Sequence, residues 1–155
     1  MKLLLVSPNT LRKNTAGIEQ SVYYLTQFMQ QQGVEVEVYC TAENPEGKVE
    51  YNGISLTEFS RWAPHHAYFF SPALYGAIRK SDHDIIHCYG YNAMTTILAV
   101  LAKKHEQKLV ITGASSISSS PFRKLLHPIL NEYYHLFGSK IDKLICVSDY
   151  EYELF

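Results

Sequence analysis

The chain has 155 residues and carries 14 Lys plus Arg against 15 Asp plus Glu, so its net charge is −1. That balance excludes nucleic-acid binding through bulk positive charge, which needs a basic excess. An apolar share of 46%, with 12 Tyr and 7 Phe, excludes a disordered chain and suits one domain over residues 1–155. In chain order, Leu3-Leu4-Leu5-Val6 is continuously apolar and stops at Ser7-Pro8, which predicts a parallel strand buried on both faces. A polar loop from Pro8 to Gly17 leads into a helix whose inner face is Ile18, Val22, Leu25 and Met29, with Gly33 as its C-terminal cap. Val34 to Cys40 alternates with period two and predicts a second strand, and Thr41 to Asn52 reads as turns. Ile54 to Phe59 alternates again.

Ser60 to Pro72 is aromatic and rich in histidine, without clean periodicity. Ser71-Pro72 then caps a helix over about Ala73 to Lys80. Asp84 to Gly90 predicts a buried strand. Met94, Ile97, Leu98 and Leu101 make a helix closed by Lys103-Lys104-His105, and Lys108 to Gly113 is another strand ending in glycine. A serine-rich loop, Ser115 to Pro121, precedes an amphipathic helix through Leu125, Leu126, Ile129, Leu130, Tyr133 and Phe137. Lys143 to Val147 predicts a last buried strand, and Ser148 with Glu151 forms a capping box for a closing helix. That helix shows no C-cap before Phe155, so the chain reads as part of a longer protein. Alternation of strand and helix predicts an α/β, Rossmann-like three-layer sandwich with a mainly parallel sheet of about six strands.

Ligands of such a sheet bind outside the carboxyl ends of its strands. Those ends are Ser7-Pro8-Asn9, Tyr89-Gly90, Gly113-Ala114-Ser115 and Ser148-Asp149. Gly17 opens a helix at this rim, where free N–H groups and the helix dipole favour a phosphate; the glycine serves either that approach or simple steric fit. The serine loop either bonds a polyhydroxylated ligand or is a plain surface loop. No G-x-G-x-x-G follows the first strand and no G-K-[ST] occurs, against dinucleotide or P-loop binding. His83-x-x-x-His87 has a zinc-like spacing, but in a strand such side chains do not converge. Asp82-His83-Asp84 resembles a D-x-D metal signature yet precedes its strand, at the opposite edge of the sheet; no metal site is expected. Cys40, Cys88 and Cys146 form no C-x-x-C pair and read as buried thiols of a reducing compartment. No apolar run approaches the roughly 20 residues of a bilayer span, and the opening run falls short of the core of about 7–15 residues in a secretory signal. A cytoplasmic protein is expected.

Four segments, in order, resemble family-4 (group 1) glycosyltransferases of the GT-B fold. They are Met1 to Pro8 followed by Ala16-Gly17-Ile18-Glu19, Asp84 to Tyr89 against a D-[IV]-[IV]-H-x-H strand, Leu109 to Thr112 against a V-x-T strand, and Ile145 to Glu151 against a vS-x-x-E junction. The resemblance implies the N-terminal, acceptor-side domain of a retaining enzyme that moves a sugar from a nucleotide-sugar donor to a glycan, lipid or small-molecule acceptor. Its donor-binding C-terminal domain, with an E-x7-E motif, would lie outside this chain, and the fragment alone would be inactive. No cofactor or metal is implied, because the nucleotide-sugar is itself a substrate. By similarity Gly17 would face the donor diphosphate, and Asn9, Asn14, Thr15, His87, Tyr89 and Ser115 would line the acceptor side. Acceptors of this family are often lipid-linked, and Phe122-Arg123-Lys124-Leu125-Leu126 combines apolar and basic residues, so peripheral contact with the inner face of the membrane is an open alternative to packing on the sheet.

Three residues depart from the family pattern. Ala16 replaces the first glycine of a Gly-Gly pair, Tyr89 the second histidine of H-x-H, and Ala114 a histidine that follows the V-x-T strand. The catalytic residues are therefore not assigned. A non-catalytic sugar- or partner-binding domain of the same fold is the second reading, and a stand-alone α/β binding domain the third.

Overall fold

With no polar side to its first four apolar residues, the opening strand has to be covered on both faces, and the computed structural model places it at the centre of the sheet. The structure describes residues 1–13, 17–65, 68–113, 132–133 and 136–154. Strand β1 (Lys2–Ser7) pairs in parallel with β2 (Glu35–Ala42) on one side and β7 (Ile85–Tyr89) on the other. The remaining strands are β3 (Lys48–Tyr51), β4 (Ile54–Ser60), β8 (Lys108–Thr112) and β9 (Lys143–Ile145), giving a seven-stranded sheet of order β3-β4-β2-β1-β7-β8-β9. All pairings are parallel except that of β3 with β4. Helix α1 (Gly17–Gln31) covers one face over Leu3, Leu5, Val36, Val38 and Leu56. Helices α2 (Pro72–Lys80) and α3 (Met94–Ala102) cover the other, where Leu74, Ile78, Leu98 and Val100 pack on Leu4, Val6, Ile86 and Cys88. A last helix, α4, spans Asp149–Leu154. The expected three-layer Rossmann-like sandwich is present.

Local chemistry explains most boundaries. Gly33 (φ 77°) ends α1 in the left-handed region, and the Val34 N–H reaches back to the Met29 carbonyl (3.1 Å) in a Schellman-type closure. The Ser71 hydroxyl accepts from the Leu74 N–H (3.3 Å) and Pro72 fills the first turn of α2, as expected.

Three expectations need correction. The stretch from Thr41 to Asn52 holds a strand as well as turns: Lys48-Val49-Glu50-Tyr51 pairs with β4 across Asn52 (φ 50°) and Gly53 (φ 78°), a two-residue turn that twists with its strands. This hairpin adds the antiparallel edge and raises the sheet above six strands. The segment after Ser60 forms a separate two-stranded ribbon, β5 (Trp62–His65) with β6 (Tyr68–Phe70), in which Trp62 faces Phe70. The last strand is short and not buried on both faces. Ile145 (40% exposed) and, just beyond the strand, Val147 (61%) alternate with part-buried Leu144 and Cys146, so one face is left open, and Cys146 is not buried as Cys40 and Cys88 are. Most of the helix expected over Leu125 to Phe137, and with it the stretch Phe122 to Leu126, lies outside the described residues.

One close contact ties α4 to the sheet. Ser148 Oγ accepts from the Glu151 N–H (3.2 Å), as a capping box requires, while the Glu151 carboxylate takes the Val147 N–H (2.9 Å) rather than that of Ser148. Glu151 is 2% exposed, and a Cβ added at Gly113 would stand 2.2 Å from its Oε2. Gly113→Ala should therefore lower the stability of the protein by about 1–3 kcal/mol, read as a urea midpoint at unchanged slope. In a Glu151→Ala background the same change should cost far less.

Candidate functional site

The sheet's winding reverses between β1 and β7. From β1 the chain moves out through β2 to β4, and from β7 it moves the other way through β8 to β9. Connections leave these two strand ends in opposite directions and open a crevice between them, the place where such sheets bind ligands. Its floor is Ser7-Pro8-Asn9 and Tyr89-Gly90. The first turn of α1 forms one bank: a Cβ added at Gly90 (φ 86°) would stand 3.9 Å from Ile18 Cδ1 and 3.2 Å from Ala93 Cβ.

Buried charge holds the loop after β1. Ile54, Leu56 and Glu58 share the inward face of β4, so Glu58 delivers a carboxylate with no exposed side-chain surface beneath that loop. Arg12 grips it bidentately, Nε to Oε1 at 2.8 Å and Nη2 to Oε2 at 2.7 Å, while its Nη1 reaches Glu46 (2.6 Å). The Thr10 hydroxyl donates to Oε1, and the Glu46 N–H donates to Oε2 at 3.0 Å. Burial alone would raise the Glu58 pKa, but Arg12, Thr10 and the Glu46 amide outweigh it and hold the carboxyl below its ordinary value. Thr41 Oγ1 donates to the Pro8 carbonyl (2.6 Å), and Ser7 Oγ to that of Asn9 (2.8 Å).

Asn9 is thereby fixed at the rim and is used at both ends. Its Nδ2 donates to Glu19 Oε1 (2.9 Å) and its Oδ1 accepts from Arg61 Nη1 (2.8 Å), whose Nη2 also reaches Glu43 (3.0 Å). Only this amide orientation satisfies a carboxylate on one side and a guanidinium on the other. Gly17 is the exposed first residue of α1, and a Cβ there would meet nothing within 4 Å. Among the described residues, the flank of the first turn at Gly17 is therefore open.

His87 and Tyr89 lie on the same face of β7 as α1, with their rings stacked at 4.9 Å and 19°. Both are buried: Tyr89 stands at the rim with its ring over His87, whose Nε2 meets Thr112 Oγ1 at 2.8 Å. Burial pushes the His87 pKa down to about 4, so the imidazole is neutral at physiological pH. The structure thus gathers Asn9, Gly17 and Tyr89 at one rim and sets His87 one layer below it. Asn14, Thr15 and Ser115 lie outside the described residues, as does Ala114. At the opposite edge Asp82 binds Lys2 Nζ (2.6 Å), Asp84 takes the Lys2 N–H (2.7 Å), and buried His83 faces Glu37 Oε2 at 3.5 Å. His83 and His87 therefore have separate partners. Among the described residues no three His, Cys, Asp or Glu side chains gather as a metal would need.

Glu58, Arg12 and Arg61 were not singled out from the sequence. The signal was a charge in step with Ile54 and Leu56 on an inward strand face.

The chain belongs to Glycosyltransferase Family 4, whose profile matches residues 15–155. Its fold is that of the N-terminal, Rossmann-like domain of GT-B enzymes. Among solved structures it is similar to an alpha-glucosyltransferase in complex with UDP and a 13-mer DNA containing a central A:G mismatch. The two are 12% identical with a TM-score of 0.57, over 96% of this chain and 37% of that one. More distant are S. aureus homoserine dehydrogenase at pH 6.0 (10% identity, TM-score 0.40, 94% of this chain and 32% of that) and aspartate semialdehyde dehydrogenase II from Vibrio cholerae (9%, 0.40, 94% and 40%). The chain thus spans well under half the length of these structures. No curated protein matches it.

The buried imidazole makes a pH prediction. With a folded pKa of about 4 against an ordinary 6.5, the unfolded chain takes up the proton first. Stability is then full above pH 6.5 and falls as pH drops toward about 4, by roughly 3 kcal/mol from this group. In His87→Gln the amide nitrogen replaces Nε2 without titrating, so urea unfolding between pH 7 and pH 4 should show a shallower loss than the parent protein.

Proposed function

We propose that this domain forms the acceptor wall of a retaining, hexosyltransferase-like enzyme, which moves a sugar from a nucleotide-sugar to a glycan, lipid or small-molecule acceptor. The observation that carries the reading is the rim between β1 and β7, where an exposed glycine opens α1 beside a polar loop locked in place, in a chain of Glycosyltransferase Family 4. A diphosphate leaving group develops charge as the sugar departs, and the positive end of α1 offers N–H groups that need no reorganisation to meet it. Asn9 at the rim and, by the family pattern, Asn14, Thr15, Tyr89 and Ser115 would supply amide and hydroxyl groups to the acceptor. His87 supports Tyr89 from below. Positioning supplies the rate on this side of the cleft, and the donor's nucleotide is held by a second domain beyond this chain. In this reading the donor is a substrate, no cofactor takes part, and a lipid-linked acceptor would bring the cytoplasmic protein to the inner face of the membrane. No helix among the described residues is long and apolar enough to cross a membrane.

A second reading, sugar or partner binding without catalysis, is favoured by Ala114 and Tyr89, which stand where the family pattern has histidines. Sugar transfer and donor hydrolysis by the full-length protein separate the two. Gly17→Trp should cut both at least tenfold while leaving the unfolding midpoint close to that of the parent, because a Cβ at this exposed position meets nothing within 4 Å among the described residues. Undiminished transfer in that variant would remove Gly17 from the donor site, and the absence of any turnover by the parent protein would favour the binding reading.

A further inference from the structure

The connection from β2 to β4 runs through β3 and contains no helix, so one flank of α1 has no helical neighbour on its side of the sheet. A cleft of about 240 Å³ lies there, lined by Leu11, Glu19, Gln20, Tyr23, Tyr24 and, from the β3–β4 hairpin, Tyr51-Asn52. It is smaller than the roughly 300–1,000 Å³ that encloses a drug-sized ligand and suits one ring of a longer chain.

Three observations define what it would hold. Among the described residues its lining carries no cation and a single carboxylate; α1 itself, GIEQSVYYLTQFMQQ, has Glu19 as its one charged residue in 15. Aromatic rings and amides dominate instead. Tyr23 packs edge-on to Tyr24 (5.5 Å) and Tyr51 (6.3 Å), and Tyr24 remains 65% exposed. Finally, Glu19 is 5% exposed, and its buried Oε2 has no hydrogen-bond partner among the described residues, although its Oε1 is taken by Asn9. A buried carboxylate oxygen left without a donor is a cost that an incoming hydroxyl would remove.

A neutral sugar chain fits all three. Its C–H face is apolar enough to lie on a tyrosine ring, its hydroxyls pair with amides and phenols, and it needs no counter-charge. The cleft neighbours the rim, because Glu19 stands between them, bonding Asn9 and also lining the cleft. We infer that this flank of α1 is a subsite for a neutral oligosaccharide, holding units of an acceptor whose reacting end sits at the β1–β7 rim. The inference rests on the transferase reading for the identity of that acceptor, but not for binding itself.

The test uses the full-length protein with maltohexaose, cellohexaose and N-acetylchitohexaose as probes, binding being read by calorimetry and donor turnover measured on the same preparations. At least one probe should bind saturably. Tyr24→Ala and Gln20→Ala should weaken it tenfold or more, and Tyr75→Ala, an exposed tyrosine on α2, should leave it unchanged. No saturable binding of any probe, or equal binding in all variants, would overturn the subsite even if donor turnover is normal. Binding that responds to Tyr24 and Gln20 without any donor turnover would uphold the subsite and count against the transferase reading alone. Self-association of the protein that Tyr24→Ala abolishes, with no sugar binding, would assign the surface to a second copy and overturn the proposal.

Discussion

Two neighbouring parallel strands whose chains depart in opposite directions cannot have the gap between their ends covered by either connection. That constraint, at β1 and β7, creates the site, and every other feature of the rim serves to furnish it. The long apolar run of β1 forces it to the centre, where both faces are buried, and centring it puts its polar exit, Ser7 to Asn9, beside the end of β7. Gly90, with its positive φ, then lets the first turn of α1 come close to that end.

An open crevice needs fixed walls, and here they are held by charge taken out of water. Burying Glu58 is unfavourable taken alone, and the offset comes from two guanidinium contacts, a hydroxyl and a backbone amide all directed at its two oxygens. The geometry of the loop is thereby tied to a core strand rather than to solvent. Asn9 extends the same chain of contacts outward, from Arg61 across the rim to Glu19 on α1. The loop after β1 and the first turn of α1 are linked through one side chain, so a change at Asn9 would disturb both.

The architecture was legible because its signals are redundant. Leu3 to Val6 announces burial on two faces, Gly33 and Ser71-Pro72 mark helix ends, and strand and helix alternate along the chain. The hairpin is hard to see because Lys48 to Tyr51 offers only two apolar positions, and its clearest sign, Asn52-Gly53, marks a turn without marking the strands that it joins. The edge strand misleads for the opposite reason: Leu144-Ile145-Cys146-Val147 is continuously apolar, while burial depends on whether both faces are covered, and the face of Ile145 and Val147 is open. At the site, glycine and asparagine at strand ends and helix starts could be read from position alone. The partners of Glu58 could not, since Arg12 and Glu58 lie 46 residues apart and only the β1–β2–β4 pairing brings them together.

The account stands on the claim that donor and acceptor meet at the rim between β1 and β7. Amide hydrogen exchange of the full-length protein, with and without nucleotide-diphosphate sugars, measures this directly. Slower exchange on ligand addition at residues 17–20 and 90–93 is the predicted result. Protection confined to the opposite edge of the sheet, around residues 82–84 and 104–107, with none at the rim, would contradict it.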